Sequence, residues 1–498
     1  MNKTIEVAAV LLIVLLAFFF RYWHLTSIGW VTEETTFLLG MQTENSSPFH
    51  FSDADYYHNL ALDYLNGKGL NLPFPPPFTL FFLIAAYKAL GVNFFLVKVV
   101  YAVVSSLSLI PTYLIARLGF GKAEGVLTIV LCALSFNLIF ITGGLNIENI
   151  YLFTLSFALL FYTLIYSKPP DTRFFPPLSL LFGFFSAIAA LTRSEFVLIF
   201  ATLIFCIALR KGVPLSFNLR IAVFSLLGFS LTLFPWGYRN YQYMKNFNLL
   251  YPETGLPLLV PTSLNGPLNF FQGHNPKANG TYTPEFLGSM SGGSFKSVDF
   301  SNKDHLSYMV DGYKLGLDYI FENPKKELSL VPVKLGIFFR GLSNGFFLNN
   351  FPVGLSGGPE TMADSFVPSS KAVIPIGLVL FFSGWVGATR LKGAPAIKYL
   401  PVLLLGTVLL INLAFYGLSR LVYPMLPYYF MMVAVGVVYL MKKTVLYEKV
   451  RPVHILALLI GVFLIGSYQA KGFVVLREKT GSKNYTLEVH EVIKKGVL

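Results

Sequence analysis

The sequence predicts an all-α, polytopic membrane protein. Three observations predict it: apolar runs long enough to cross a bilayer recur along most of the chain, charge is scarce, and the basic residues gather in short segments between the runs. Over 498 residues the chain is 54% hydrophobic and 13% charged, about half the charged share of a soluble domain. A helix of roughly 20 apolar residues spans a hydrocarbon core of ~30 Å, and a helix satisfies its own backbone hydrogen bonds in lipid. The first run, from about Ile5 to Phe20, is followed by Arg21 with no small-residue cleavage site, so it reads as a retained anchor. Cys132 and Cys206 both lie inside apolar runs; they indicate neither a disulfide framework nor a zinc site.

The formal net charge is +13. A strongly basic chain suggests nucleic acid as a partner, but here the cations sit in interhelical segments, where they report membrane orientation instead. These segments hold Lys3, Arg117 with Lys122, Lys168 with Arg173, Arg210 with Lys211 and Arg220, Arg390 with Lys392 and Lys398, and Lys442 through Arg451. If all face the cytoplasm, the spans between them come in pairs. That places crossings near 5–23, 95–116, 123–143, 149–167, 175–192, 195–209, 219–237, 371–389, 398–417, 424–441 and 453–469, about eleven, with thirteen as the upper bound. Phe78 to Leu90 is too short to cross, and 329–350 is interrupted by Lys334 and Arg340. Both read as helices lying in, or re-entering from, the outer interface.

The resulting organisation is a first transmembrane helix (1–23), a first extracytoplasmic loop (24–94), a transmembrane module (95–237), a long second extracytoplasmic loop (238–370), C-terminal transmembrane helices (371–469) and an extracytoplasmic tail (470–498). The second loop is rich in Gly, Asn, Ser and Pro and reads as an ordered loop domain or a lid over a site. The expected location is the cell's inner or plasma membrane, with membrane lipids as surroundings.

An ionisable group at membrane depth is costly and calls for a partner or a function. On this topology Asp53, Asp55, Glu148, Arg193, Glu195, Arg239 and Arg420 all fall at the outer ends of spans or in outer loops. In SDADYYHNLALDYLNGKG, Asp53 opens a helix-compatible stretch; it reads either as an N-cap, worth ~1 kcal/mol, or as a general base. Asp55 reads as a surface charge, a helper or a metal ligand. Glu148 in GGLNIEN complements the positive end of the helix that it opens, or holds an acceptor or a metal. In ALTRSEF, Arg193 and Glu195 form either an ion pair that holds a tight turn or part of a pocket. Arg239 in FPWGYRNY, beside Trp236, Tyr238 and Tyr241, fits an aromatic belt, and Arg420 in SRLVYPMLP fits an interfacial anchor. Several arginines at one depth also suit an anionic lipid headgroup. No glycine-rich phosphate loop, metal-spaced histidine pair or nucleophile elbow is present, so a sugar donor would be lipid-linked and not nucleotide-linked.

Taken in order, these residues resemble the GT-C superfamily of membrane glycosyltransferases, in particular bacterial and archaeal relatives of protein O-mannosyltransferases and of the lipid A aminoarabinose transferase. The resemblance runs through Asp53, Tyr57 and Ala61, PPPFTLFFLIAAYKALG, the Arg117 segment, Glu148 with Asn149, LTRSE, PWGYRNY, GHNPKANG, FENPKKE and RLVYPMLP. It implies a GT-C-type bundle with interfacial helices in the first outer loop, and an inverting transfer of sugar from a polyprenyl-phosphate carrier to a lipid, glycan or protein acceptor. Asp53 matches the family's catalytic Asp. Arg239, Arg420, Arg193 and Lys88 are the candidate lipid-phosphate ligands, and Tyr57, His58, Glu195, Asn240 and His274 the candidate donor and acceptor pocket. If a divalent metal, Mg or Mn, takes part, Asp53, Asp55 and Glu148 are its candidate ligands. The sequence departs from many relatives in lacking a cation in LPFPPP and in having Asp53-Ala54 where the protein mannosyltransferases have Asp-Glu; Glu33-Glu34 is a second acidic pair nearby. A lipid or sugar transporter would instead carry its polar groups near the bilayer midplane in repeated halves, and a non-catalytic scaffold would use the second loop to bind a partner.

Overall fold

A computed structural model describes residues 3–27, 52–70, 73, 75–145, 147–167, 174–252, 255–281, 303–343, 370–391 and 395–443, and within these not the side chains of a few helical residues, Asp53 and Asp55 among them. The helices are α1 (Lys3–Ser27), α2 (Ser52–Leu65), α3 (Phe78–Leu90), α4 (Phe94–Leu107), α5 (Leu109–Gly119), α6 (Lys122–Leu134), α7 (Phe136–Phe140), α8 (Ile147–Ser167), α9 (Phe175–Thr192), α10 (Phe196–Ala208), α11 (Leu215–Leu250), α12 (Asn265–Gly273), α13 (Lys303–Glu322), α14 (Pro324–Ser343), α15 (Ser370–Arg390), α16 (Pro395–Ala414) and α17 (Leu426–Lys443). Among the described residues the one β-type contact is an isolated bridge between Thr281 and Gly417.

The all-helical reading holds. Among the described residues seven helices are long and apolar enough to cross a membrane, or eight if a bent pair counts as one. That pair occupies the span expected over 123–143: the helix turns by 68° between α6 and the segment Asn137–Gly143, where Ser135 takes an extended backbone conformation. The segment expected as a crossing at 195–209 is the 13-residue α10, about 20 Å at 1.5 Å per residue and so shorter than the hydrocarbon core. The span expected over 219–237 runs on to Leu250 as the 36-residue α11, about 54 Å. Pro235 lies inside it without ending it, so Arg239 stands on a helix and not in a loop. The two segments expected in the interface form the helices α3 and α14, while Glu33-Glu34, 344–350 and 453–469 lie outside the described residues.

The core is built where helices approach most closely. α9 crosses α11 at Gly183 and Gly228, and α15 crosses α17 at Gly384 and Gly436; at each there is no room for a Cβ against the facing backbone. Small residues of this kind let helices pack in lipid, where no hydrophobic force drives them together. α8 and α17 form the centre, with Tyr151, Leu155, Leu159, Tyr428, Phe430 and Met431 buried. Large apolar side chains such as Leu231, Phe234 and Val379 remain more than 60% exposed, as lipid-facing positions should.

The two ends of the bundle differ in chemistry. At one, Glu6 binds Arg117 (2.5 Å) and Lys122 (2.7 Å) and accepts from the Tyr113 hydroxyl, while Lys442 lies 3.4 Å from Glu124. These contacts tie together α1, α5, α6 and α17 at the end that carries the expected basic segments. The first-loop hairpin, α2 with α3, docks at the opposite end. Its Ala54, Tyr57, Ala61, Leu83 and Tyr87 share a buried cluster with Val97 and Tyr101 of α4 and with Leu145 and Ile150, which flank Glu148. The spacing of Tyr57 and Ala61, one helical turn, therefore selects the face by which the helix bearing Asp53 sits beside Glu148.

Candidate active site

At this end three charged residues from distant parts of the sequence meet. Glu148 lies in the first turn of α8, where a carboxylate complements the helix dipole, and Arg193 is the C-cap residue of α9, where a cation does the same. Arg420 belongs to a short 3-10 turn, Ser419–Leu421, just before α17. The field of a helix N-terminus opposes a cation there; Glu148 holds it. One oxygen of Glu148 lies 3.4 Å from Arg193 Nη1 and 3.7 Å from Arg420 Nε. Arg193 Nε also donates to Glu195 at 2.5 Å, and its guanidinium stands 5.5 Å from the centre of the Tyr151 ring.

Two carboxylates and two guanidinium groups thus form a neutral set inside the protein. The Glu148 side chain is 2% exposed, Arg193 8% and Arg420 19%, so Arg420 is the guanidinium nearest to solvent. Burial works against the charge of Arg193, but Glu195 and Glu148 beside it hold it above the ordinary arginine range. The turn that carries it is fastened to the second loop through Ser194 and Ser263, whose hydroxyls are 2.8 Å apart.

The other expected site residues lie as follows. Asp53 and Asp55 are in the first turn of α2, their side chains outside the described part of the structure. Tyr57 donates to the Pro76 carbonyl (3.0 Å), and His58 Nδ1 is 2.8 Å from the Tyr87 hydroxyl; both tie α2 to α3. Burial pushes His58 below the ordinary imidazole range. Lys88 is exposed, over the Tyr64 ring. Arg239 and Arg420 were expected to share a site, but the contacts described for Arg239 lie elsewhere. It binds the Leu70 carbonyl and Asn240 and stacks on Trp236 and Tyr243, so it holds the segment between α2 and α3 to α11. Asn240 is fully buried and donates to the Val260 carbonyl. His274 binds Glu327 and the Ala414 carbonyl.

Sequence reasoning missed Tyr101, whose ring is fully buried and whose hydroxyl has no hydrogen-bond partner among the described residues, within electrostatic reach of Glu148. It missed Tyr151 too, although its position three residues after Glu148 on one helix was a usable signal. For a metal, no three His, Cys, Asp or Glu side chains gather among the described residues. Glu148, neutralised by two guanidinium groups, is a poor cation ligand; the expectation that it joins a metal site does not fit its surroundings.

No protein-family model and no curated protein sequence matches the chain. Solved structures do. The oligosaccharyltransferase AglB from Archaeoglobus fulgidus, in complex with an inhibitory peptide and a dolichol-phosphate, superposes with a TM-score of 0.52 at 14% identity, over 96% of this chain and 58% of that one. An Archaeoglobus fulgidus oligosaccharyltransferase tethered with an acceptor peptide gives 0.53 at 15% identity, over 94% and 55%. The chain shares the fold of these structures. It spans less than three fifths of the oligosaccharyltransferase chains it matches. ArnT from Cupriavidus metallidurans, bound to undecaprenyl phosphate, gives a TM-score of 0.33 at 13% identity, over 88% of this chain and 78% of that one. Within this fold, the Glu148 cluster lies at the end of the bundle where the first-loop hairpin docks.

Proposed function

We propose that the chain is an inverting glycosyltransferase that moves a sugar from a polyprenyl-phosphate carrier to a hydroxyl or phosphate acceptor on a lipid, glycan or protein, at the extracytoplasmic face of the cell membrane. The observation that carries this reading is the convergence of Arg193 and Arg420 on Glu148, beside the docked helix of Asp53, in a GT-C fold. The dolichol-phosphate in the AglB structure and the acceptor peptide tethered to the Archaeoglobus fulgidus oligosaccharyltransferase are the kinds of carrier and acceptor the reading assigns to this chain. The sidedness rests on the basic segments at the other end of the bundle.

In this mechanism Asp53 takes the proton of the acceptor as its oxygen attacks the anomeric carbon. The bond from that carbon to the phosphate oxygen breaks with inversion, and polyprenyl phosphate leaves with the bonding pair. Arg420, the more exposed guanidinium with the longer contact to Glu148, meets the phosphate; Arg193 keeps Glu148 in place behind it. Fixed positive charge where negative charge develops is worth several kcal/mol, and the base contributes on the order of 10²–10⁴-fold. A divalent cation, Mg or Mn, belongs to this reading only at Asp53 and Asp55, since Glu148 is already neutralised.

The test offers purified protein a panel of polyprenyl-phosphate sugars and measures release of free polyprenyl phosphate. Wild type releases it from at least one donor, and Asp53→Asn abolishes release while the protein stays folded. A transporter or scaffold would release none and would tolerate Asp53→Asn.

A further inference from the structure

The second loop is fastened to the bundle at a polar point that the proposed chemistry does not use. His274, 4% exposed, follows α12; its Nδ1 lies 2.8 Å from Glu327 Oε2 of α14, and its Nε2 lies 2.8 Å from the carbonyl oxygen of Ala414, the last residue of α16. Both partners are acceptors, whereas a neutral imidazole carries one N–H. Making both bonds takes either an imidazolium or a protonated Glu327. The end of α16 that faces Nε2 carries partial negative charge, which suits an imidazolium. Lys334, 2% exposed, donates to the Leu413 (3.0 Å) and Phe415 (2.8 Å) carbonyls. His274 and Lys334 together therefore bind three consecutive carbonyls, Leu413 to Phe415, at the end of α16.

Arg420 lies six residues beyond Ala414 in sequence. Between them, Gly417 donates to the Gly280 carbonyl (2.9 Å) and Leu418 donates to Asn412 of α16 (3.0 Å), and Gly341 of α14 leaves no room for a side chain against Ser419 and Val422. The path from the capped end of α16 to Arg420 is short and held along its length. Among the described residues, Glu327 and Lys334 of α14 and the Ala414 carbonyl are the polar groups nearest His274. Phe270 of α12, Tyr313 of α13 behind it, and Gly316 close the remaining side.

We propose that His274, as an imidazolium, is a positioning residue for donor binding: with Lys334 it fixes the end of α16 and so sets Arg420 against Glu148. The proposal rests on the reading of Arg420 as the phosphate ligand. Loss of the ring proton removes one of the two bonds, so the latch is present at lower pH and weakens as pH rises.

The experiment measures kcat and KM for the donor from about pH 6 to about pH 9 in full-length wild type, His274→Gln, His274→Lys and Glu327→Gln. In wild type, donor KM rises about tenfold on the alkaline side while kcat changes far less. His274→Lys, a cation to higher pH, moves that rise upward. His274→Gln shows a raised KM without it, whereas Glu327→Gln, whose amide can donate to a neutral ring, loses the alkaline rise without a raised KM. An alkaline rise unchanged in His274→Gln, or a loss confined to kcat, overturns the proposal. A second readout needs no turnover: amide exchange of residues 415–421 compared between variants at equal pH. It is faster in His274→Gln than in wild type at low pH and equal to it at high pH. Equal exchange at every pH sinks the latch, whereas absence of transfer by wild type with the exchange difference intact sinks only the functional reading.

Discussion

Arg193 and Arg420 reach the same oxygen of Glu148, at 3.4 and 3.7 Å, from the C-terminus of one helix and the turn before another. Glu148 is therefore the residue on which the arrangement of the site depends. Glu148→Gln leaves two guanidinium groups facing each other in a buried place. Breaking a buried pair from one side costs about 3–5 kcal/mol, so the variant unfolds at markedly lower temperature in detergent. Glu148→Gln combined with Arg193→Gln recovers part of the loss, with a coupling of about 1–3 kcal/mol in a double-mutant cycle. Additive single effects would show that the three charges do not act as one set.

Arg239 and Arg420 are separable by kinetics. Arg420→Ala raises donor KM by roughly 10- to 100-fold, the effect of one charge-assisted hydrogen bond. Arg239→Ala loosens the Leu70 carbonyl and the stack on Trp236 and Tyr243, so it lowers stability and leaves donor KM closer to wild type. The reverse order of KM effects would move the phosphate site to α11.

His58 makes docking of the first-loop hairpin sensitive to acid. Burial holds its folded pKa below the ordinary value, while the ring of the unfolded chain takes a proton near pH ~6.5. Between those two values the unfolded state binds more protons, so stability falls as pH drops through about 6.5 and levels off once the folded ring is also protonated. Thermal unfolding of wild type should fall more steeply than that of His58→Gln between about pH 7 and about pH 5. Parallel pH curves would exclude this.

The helix crossings give a direct packing test. Gly228→Val and Gly436→Val each force a side chain into facing backbone and cost about 1–3 kcal/mol or more. Gly406 of α16 has no atom within 4 Å of its would-be Cβ, so Gly406→Ala is neutral or stabilises by up to ~1 kcal/mol through helix propensity. Equal losses at all three positions would mean that the crossings are not as close as described.

Much of the fold was legible because membrane crossing depends on the length of a run and not on its partners. Glu6, Arg117, Lys122 and Lys442 cluster at one end, as the basic segments implied, and Tyr57 and Ala61 bury the face that their spacing indicated. Span boundaries were less legible. Nothing local stops α11 at residue 237: Pro235 is tolerated within it, and the polar stretch after Trp236 is as compatible with a helix in water as with a loop. The bend at Ser135 likewise has no proline to announce it.

The sequence by itself determined that this chain is a helical membrane bundle and that its acidic and basic candidates fall near span ends, since hydropathy and charge act residue by residue. Only the tertiary structure decided that Arg193 shares Glu148 with Arg420, and that His274 is held between two acceptors. The physical reason is range. An ion pair or hydrogen bond acts over a few ångströms, and which side chains come within that distance depends on how helices far apart in sequence cross and turn.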